Sequence, residues 1–222
     1  MKNFFRRIKM RKNILVSLSI LAFAIVFALS PTIASAKDPT FILSNVKQDN
    51  KSLKLAKPDK TTGVVTKDLE GTVDQRPTFI IIFSKLIKGT TTATLTEHFK
   101  ATDAGDLREI TMTAQVVITT DKKGKKIESL TIVDNLVNYT GTNSLGTTVS
   151  GFAPTDAAAI TGSKKKITVN TELLITAALE EKIGKIGKQA GTYDYDWSIA
   201  DMPIKFKNRT FNTLKGVLTV TE

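Results

Sequence analysis

The sequence contains no cysteine, and this absence excludes several kinds of chemistry at once. Thiol catalysis, cysteine-ligated zinc and iron–sulfur clusters all require the missing side chain. Disulfide bonds are excluded as well, so the fold must depend on packing even if the protein works outside the cell.

Histidine is nearly absent, and His98 is the single residue of this type. It lies in Thr90–Phe99, where threonines alternate with larger residues, and by this phase it shares the threonine face. A surface position is predicted, with no acidic partner nearby except Glu97, which points the other way. The sequence also lacks a phosphate-binding glycine loop, a G-x-S-x-G turn and an H-E-x-x-H motif. We therefore expect neither an enzyme nor a bound cofactor.

Long apolar runs are limited to one, Ile14–Leu29, which follows six basic residues without an intervening acid. Pro31 then breaks the helix expected for this run, and the small residues Ala34-Ser35-Ala36 resemble a cleavage signal. This order predicts a secretory signal peptide over residues 1–36, cleaved after Ala36, with an uncleaved anchor as the alternative. The expected location is extracellular, on the cell surface or periplasmic.

A large excess of basic charge is also missing once the leader is removed. The chain has 32 basic and 21 acidic residues, and without the six leader cations the balance is 26 against 21, or +5. Such a small excess does not indicate nucleic-acid binding. Residues 37–222 are enough for a single domain with its own core.

The clearest positive pattern is Ile110–Thr120, ITMTAQVVITT, in which apolar and mostly polar residues alternate. This is the period of a strand with one buried face. A similar sequence, ITVNTELLITA, recurs at Ile167–Ala177 and predicts a second strand as far as Ala177. A short helix or a long hairpin tip is allowed over Leu179–Lys188.

Other segments with strand patterns are separated by turn residues, and Thr78–Phe83 (TFIIIF) is expected to be buried on both faces. The predicted fold is all-β: an antiparallel β-sandwich of the Ig-like or jelly-roll type, with about nine strands and room for one short helix. A β-barrel is the alternative.

The start of the predicted mature chain has two parts. Lys37–Val46 contains a short apolar strand, and Lys47–Thr62 is a polar, lysine-rich segment that is predicted to be a loop or linker. A tethered strand can complete a neighbour's sheet and so build a surface polymer. Completion of its own sheet is the favoured alternative.

The alternating segment Thr192–Ile199 presents carboxylates on one face and aromatic residues on the other. Asp194 and Asp196 are about 7 Å apart by strand rise, and Asp201 follows. The favoured interpretation is a solvated face; a calcium site of these three aspartates and an acid/base pair are the alternatives. The opposite row, expected in the core, comprises Tyr193, Tyr195 and Trp197. The same alternatives, with turn chemistry favoured, apply to Asp103, Asp106 and Glu109.

Lysines are concentrated at predicted turns, one of them Asp121–Lys126, in which Gly124 supplies a positive φ. If the two copies of the motif are neighbouring strands, these turns can gather at one end and contact an anionic polysaccharide or a membrane surface. Separate, solvated turns are the simpler interpretation. The residues are Lys122, Lys123, Lys125, Lys126, Lys164, Lys165 and Lys166.

These patterns together predict an exported cell-surface or extracellular protein with a structural or binding role in adhesion or assembly. The partners considered are other copies of the chain and weakly bound anionic surfaces. A secreted barrel that carries an apolar small molecule is the alternative, and a carboxylate-dependent hydrolase is the third hypothesis.

Overall fold

The computed structural model of the chain describes residues 40–49, 55–56, 58–62, 64–70, 76–101, 109–143, 145–185 and 193–221. The predicted leader and the turn that holds Asp103 and Asp106 lie outside the described residues, so what was predicted of them stays a prediction. Within the described ranges, no helix is long and apolar enough to cross a membrane.

The described part of the chain is mostly β, which confirms the predicted class, and it also contains two short helices. The first strands are β1 (Phe41–Asp49), β2 (Leu55–Ala56), β3 (Val64–Glu70), β4 (Thr78–Lys85), β5 (Gly89–Ala101), β6 (Glu109–Thr120) and β7 (Ile127–Ile132). They are followed by β8 (Leu136–Thr142), β9 (Thr148–Pro154), β10 (Ile160–Ser163), β11 (Lys166–Asn170), β12 (Tyr193–Phe206) and β13 (Arg209–Thr221). The helices are α1 (Thr171–Leu174) and α2 (Ala177–Ile183).

All of these strands belong to one mixed sheet that curls into a half-barrel. The main path is β10-β11-β4-β1-β12-β5-β6-β8-β9; β13 pairs with β12 and β3, β2 with β1, and β7 with β6. Two described pairs are parallel, β1 with β12 and β3 with β13, where only antiparallel pairs were predicted. Both pairs join strands that are far apart in sequence. No short turn connects the paired strands, so the local sequence gives no sign of the pairing.

Strand β6 confirms the prediction from ITMTAQVVITT. Its even-numbered residues are buried, namely Ile110, Met112, Ala114, Val116 and Ile118. It pairs with β5 along its whole length, from Gly89 opposite Thr120 to Lys100 opposite Glu109. Its other edge is shared by β7 and β8, which are separated by a 3-10 turn over Val133–Asn135.

The second copy of the motif is a strand only as far as Asn170, so the prediction of a strand to Ala177 is wrong. The Asn170 side chain accepts a hydrogen bond from the N–H of Glu172 at 3.0 Å, which caps α1 and ends the strand. Strand β11 pairs with β4 and β10, so the two copies are not neighbours. The allowed short helix exists as α2, which ends before Gly184 at a φ of +87°.

Strand β1 lies in the protein's own sheet, between β4 and β12, as favoured for Lys37–Val46. Phe41 and Val46 are fully buried. The predicted linker Lys47–Thr62 is partly wrong, because β1 continues to Asp49 and β2 pairs back onto it. Apolar residues on the buried face of β1 therefore hold this strand in the sheet, although the residues that follow Val46 are mostly polar.

Strand β4 differs from its prediction, because only one of its faces is fully buried. Phe79, Ile81 and Phe83 are buried, whereas Ile80 and Ile82 are half-buried. The second face remains partly open, although the unbroken apolar run resembles a strand between two layers.

Aromatic rings fill the inside of the curled sheet. Tyr195 and Trp197 are fully buried, as predicted; the side chain of Tyr193 lies outside the described set. Trp197 stacks on Phe79 with ring centroids 4.1 Å apart and planes 9° apart. Phe99 packs against Tyr195 at 4.6 Å. Ring pairs of this kind add about 0.5–1.5 kcal/mol each beyond the burial of their area.

Two strands that are remote along the sheet path, β7 and β10, meet on the far side of the curl. The N–H of Ile127 donates to the carbonyl oxygen of Lys164 at 2.6 Å, and the two residues form an antiparallel bridge. Gly162 allows this approach, since a Cβ there would lie 2.5 Å from Ile127 Cγ2 and 3.2 Å from Leu130 Cβ. The end of the half-barrel at this bridge is called the lysine end below, because the turns Asp121–Lys126 and Lys164–Lys165 lie there.

Replacing Gly162 by alanine should separate β7 from β10, because the new methyl group overlaps the Ile127 side chain. We expect the free energy of unfolding of the full chain to fall by about 1–3 kcal/mol. Urea denaturation followed by tryptophan fluorescence measures this change. The neighbouring Ser163→Ala variant is the control and should stay close to the unmodified protein; equal stability of the two variants would contradict the close approach.

Candidate anion-binding site

The first group of lysines stands on the turn Asp121–Lys126 between β6 and β7. The Asp121 carboxylate accepts hydrogen bonds from the N–H groups of Lys125 and Lys126 at 2.5 and 3.2 Å. Gly124 has the predicted positive φ, +64°, and its N–H donates to the Asp121 carbonyl oxygen at 2.9 Å. The turn is thus closed by its own backbone, and its four lysines are exposed: Lys122, Lys123, Lys125 and Lys126.

The second group stands on the turn between β10 and β11. Ser163 pairs with Lys166, and Lys164 has a φ of +52°. The Lys165 ammonium group donates to the carbonyl oxygen of Ser84 at 2.6 Å, which fastens the turn to β4. Lys164 and Lys166 remain exposed.

The bridge between Ile127 and Lys164 brings these two groups together. The sequence predicted that they would gather if the two copies of the motif were neighbouring strands. That condition is not met, but β7 and β10 meet instead and place all seven predicted lysines at the lysine end. Whether these lysines contact an anion stays a prediction.

A cavity of about 330 Å³ opens at the same end. It is lined by Thr40, Lys85, Leu86, Ile87, Lys88, Lys123 and Gly124. Leu86 is buried and Ile87 half-buried, so the lining combines an aliphatic part with three lysines. Lys85 and Lys88 were missed in the sequence, although both flank the turn that follows a strongly apolar strand.

Direct contact between two turns defines the cavity wall. The Thr120 hydroxyl donates to the carbonyl oxygens of Ile87 and Gly89 at 2.5 and 3.2 Å. A Cβ on Gly124 would lie 3.1 Å from the Leu86 carbonyl oxygen and 3.3 Å from Lys88 Cγ. The backbones that carry Lys88 and Lys123 are therefore held against each other.

Positive charge at the lysine end has few carboxylates to balance it. Among the described residues, no aspartate or glutamate forms an ion pair with Lys85, Lys88 or Lys123. The nearby Asp121 carboxylate accepts hydrogen bonds from N–H groups of its own turn and attracts Lys125 and Lys126. An anion bound among these ammonium groups would relieve their mutual repulsion.

The three aspartates considered as a calcium site are spread along β12. Asp194 lies opposite Lys100 and Asp196 opposite His98, while Asp201 accepts a hydrogen bond from the Thr94 hydroxyl at 2.5 Å. In the described part of the chain, no group of three or more acidic, histidine or cysteine side chains could hold a metal ion. Calcium binding at these positions stays a prediction, and the three aspartates are not close enough together to form one set of metal ligands.

His98 joins three strands on the threonine face, where it is half-buried. Its Nδ1 lies 3.0 Å from an Asp196 oxygen on β12, and its Nε2 lies 2.9 Å from a Glu109 oxygen on β6. The hydrogen bond with Asp196 raises the pKa of His98, burial opposes the rise, and Glu109 reinforces it. The expectation of no acidic partner is wrong, because both partners come from neighbouring strands.

Glu97 is a polar residue inside the aromatic core, opposite Trp197 on β12 and Met112 on β6. Neither carboxyl oxygen makes a hydrogen bond to another described residue. The hydroxyls of Thr171 and Tyr195, 3.2 Å apart, lie beside it. Burial raises the pKa of Glu97 to about 8, and the two hydroxyls offset only part of this rise. The carboxyl group is therefore mostly neutral at pH 7.

Arg76 is, with Glu97, one of two acidic or basic residues that are buried in the described structure, and it is only 5% exposed. Its guanidinium donates to the carbonyl oxygen of Ile175 at 3.2 Å and to the Glu180 carboxylate, and Glu172 lies 3.6 Å away. These contacts tie the residue before β4 to the helical segment. The arrangement satisfies the charge of Arg76 and indicates a structural role.

Comparison with protein-family models, with curated proteins and with solved structures gave no match in any of the three cases.

The single histidine should titrate above its ordinary pKa of about 6.5. Its imidazole signals in an NMR pH titration need no assignment, because the chain has no other histidine. Asp196→Asn should bring the midpoint down, since it removes the largest stabilising contact of the imidazolium. Asp194→Asn, on the same strand face, is the control. A midpoint at or below the ordinary value in the unmodified protein would contradict the observed contacts.

Stability should decrease as pH rises from about 4.5 to about 8, because Glu97 keeps its proton in the folded state and loses it in the unfolded state. The stabilisation that comes from the proton on Glu97 is complete below the pKa of this group in the unfolded state. It is lost as pH rises through the pKa in the folded state. The slope should approach 1 kcal/mol per pH unit in order of magnitude. Urea denaturation at several pH values measures it. Glu97→Gln should flatten the dependence, whereas the exposed Glu128→Gln should leave it intact.

Proposed function

We propose that this protein is an exported binding module that attaches to an acidic polysaccharide through its lysine end and carries no catalytic centre. The observation that supports this most is the meeting of two lysine-bearing turns at the bridge between Ile127 and Lys164. Either turn alone is an ordinary solvated hairpin tip. Together, and joined by Lys85 and Lys88 at the cavity, they form one basic surface that suits a polyanion.

An acidic polysaccharide fits this surface better than a lipid membrane does. Proteins that lie on membranes usually place apolar side chains beside their basic ones. The large hydrophobic side chains that are exposed in the described structure do not belong to the lysine end. They are Val133, Leu136, Leu145, Phe152 and Val217. A hydrated polymer with repeated negative charges needs no such insertion.

The proposed place of action is outside the cell, at the cell surface or in a periplasm. This part of the proposal rests on the leader pattern of residues 1–36, with cleavage after Ala36. The absence of cysteine is compatible with an oxidising location, because a chain without thiol groups cannot form mispaired disulfides there.

For the architecture we favour the barrel, the alternative in the sequence analysis, over the sandwich. The support comes from the bridge between β7 and β10, which joins a ring made of β10, β11, β4, β1, β12, β5, β6 and β7. A sandwich would need two stacked sheets, whereas the described strands are connected in one.

A carrier of an apolar small molecule is the second candidate, and Glu97 is the observation that favours it. A mostly neutral carboxyl group inside an aromatic interior can orient a buried ligand. The close stacking of Phe79 on Trp197 at 4.1 Å speaks for a filled interior instead. A carboxylate-dependent hydrolase has less support, because Asp196 and Asp201 are hydrogen-bonded to His98 and to the Thr94 hydroxyl.

Self-assembly through β1 is a further possibility carried over from the sequence. In the described fold β1 pairs antiparallel with β4 from Ile42 to Asp49, and Phe41 and Val46 are fully buried. Donation of this strand to a neighbour would expose those side chains until another copy replaced them. We therefore give binding of an anionic polymer precedence over polymerisation.

Replacing exposed lysines at the lysine end by glutamine should weaken binding to an acidic polysaccharide. The full-length chain is loaded at low salt on immobilised polygalacturonate and eluted by a salt gradient. The test variant combines Lys122→Gln, Lys125→Gln and Lys166→Gln. The matched control, with the same loss of charge elsewhere on the described surface, combines Lys100→Gln, Lys182→Gln and Lys215→Gln. The test variant should elute at lower salt than the control, because screening removes weaker attractions first.

Three outcomes would count against the proposal. Retention on neutral dextran would show that negative charge is not required. Equal shifts of the test and control variants would indicate attraction by net charge alone. Binding to vesicles of acidic phospholipid without retention on polygalacturonate would replace the polysaccharide by a membrane surface.

A further inference from the structure

We infer that the cavity bordered by Lys85, Lys88 and Lys123 is a subsite for one acidic sugar unit of the bound polymer. This inference rests on the proposed function and adds to it the chemical class of the unit recognised. The unit would be a sugar acid whose carboxylate contacts the lysines while its ring enters the cavity.

The size of the cavity suits a single small unit. Its volume of about 330 Å³ lies at the lower end of ligand pockets, which are roughly 300–1,000 Å³. Elsewhere at the lysine end, Lys122, Lys125 and Lys166 stand on exposed tips. The cavity thus offers a concave surface to a ligand, whereas the exposed tips offer charge alone.

The lining offers complementary chemistry for the parts of a sugar acid. The half-buried Ile87 supplies an aliphatic surface for the C–H face of a ring, and Thr40 adds a hydroxyl group. The three lysines supply ammonium groups without an ion-pair partner among the described residues. Charge-assisted hydrogen bonds from ammonium to carboxylate are stronger than neutral ones. A neutral sugar would leave the three ammonium groups without a counter-charge.

The cavity is also held in shape before any ligand arrives. Thr120 fixes the carbonyl groups of Ile87 and Gly89, and Gly124 packs directly on Leu86 and Lys88. These contacts set the separation of the two turns that carry Lys88 and Lys123. Binding therefore has to order lysine side chains but not the backbone, which lowers its entropic cost.

The test measures binding of the monomer galacturonate to the full-length chain by NMR titration, with galactose as the neutral counterpart. Galacturonate should bind and galactose should not. Lys88→Gln should weaken galacturonate binding about tenfold, the effect of losing one charge-assisted contact. Lys166→Gln removes the same charge outside the cavity and should change the affinity by no more than about twofold.

A second variant, Ile87→Phe, fills the cavity and keeps every charge. It should abolish galacturonate binding while the chain is still retained on polygalacturonate through the remaining lysine end. Its thermal unfolding is checked first, and Lys88→Gln gives an independent test if the larger side chain disturbs the fold.

The outcomes separate this inference from the proposed function. If polygalacturonate retains the chain but galacturonate binding is absent, or falls equally with Lys88→Gln and Lys166→Gln, the subsite is refuted and the basic surface stands. If galactose binds as well as galacturonate, recognition of the acid is refuted. If polygalacturonate fails to retain the unmodified chain, the proposed function itself fails.

Discussion

The contact between β7 and β10 is the constraint on which the other features of this structure depend. One backbone hydrogen bond, from Ile127 to Lys164, joins two strands that the sheet path places far apart. Gly162 makes the approach possible, since any Cβ there would overlap the Ile127 side chain. The same contact holds the buried Ile127 against Gly162 and brings two lysine-bearing turns together. Packing inside and charge outside therefore share one geometric cause.

Two acidic or basic side chains are buried among the described residues, and the structure accommodates them in different ways. Arg76 keeps its charge because the Ile175 carbonyl and the carboxylates of Glu172 and Glu180 surround it. Glu97 has no such partner and is accommodated by keeping its proton, which burial favours. Arg76 therefore helps to dock the helical segment, whereas the proton on Glu97 is the source of the expected pH dependence of stability.

Much of the fold was visible in local patterns, and its exceptions have physical causes. The alternation in Ile110–Thr120 predicted both the strand and its buried face correctly. The same pattern failed after Asn170, because a side-chain cap ends the strand there and begins a helix. Glu97 lies on the same face of its strand as Leu95 and Phe99, so the alternation predicts that it is buried. The charge of a glutamate side chain favours the opposite prediction. The acidic partners of His98 were not readable, since both come from other strands.

The sequence by itself determined the mostly β character, the faces of the main strands, and the exposed lysine turns, because a period of two and a glycine turn are local properties. It did not determine which strands are neighbours. The parallel pairs, the bridge from Ile127 to Lys164, and the cavity beside Lys85 and Lys88 arise only when distant segments meet. Alternation specifies which face of a strand is buried but not its partner. Partner choice depends on long-range packing and on where a glycine permits close approach, and only the tertiary structure decides this.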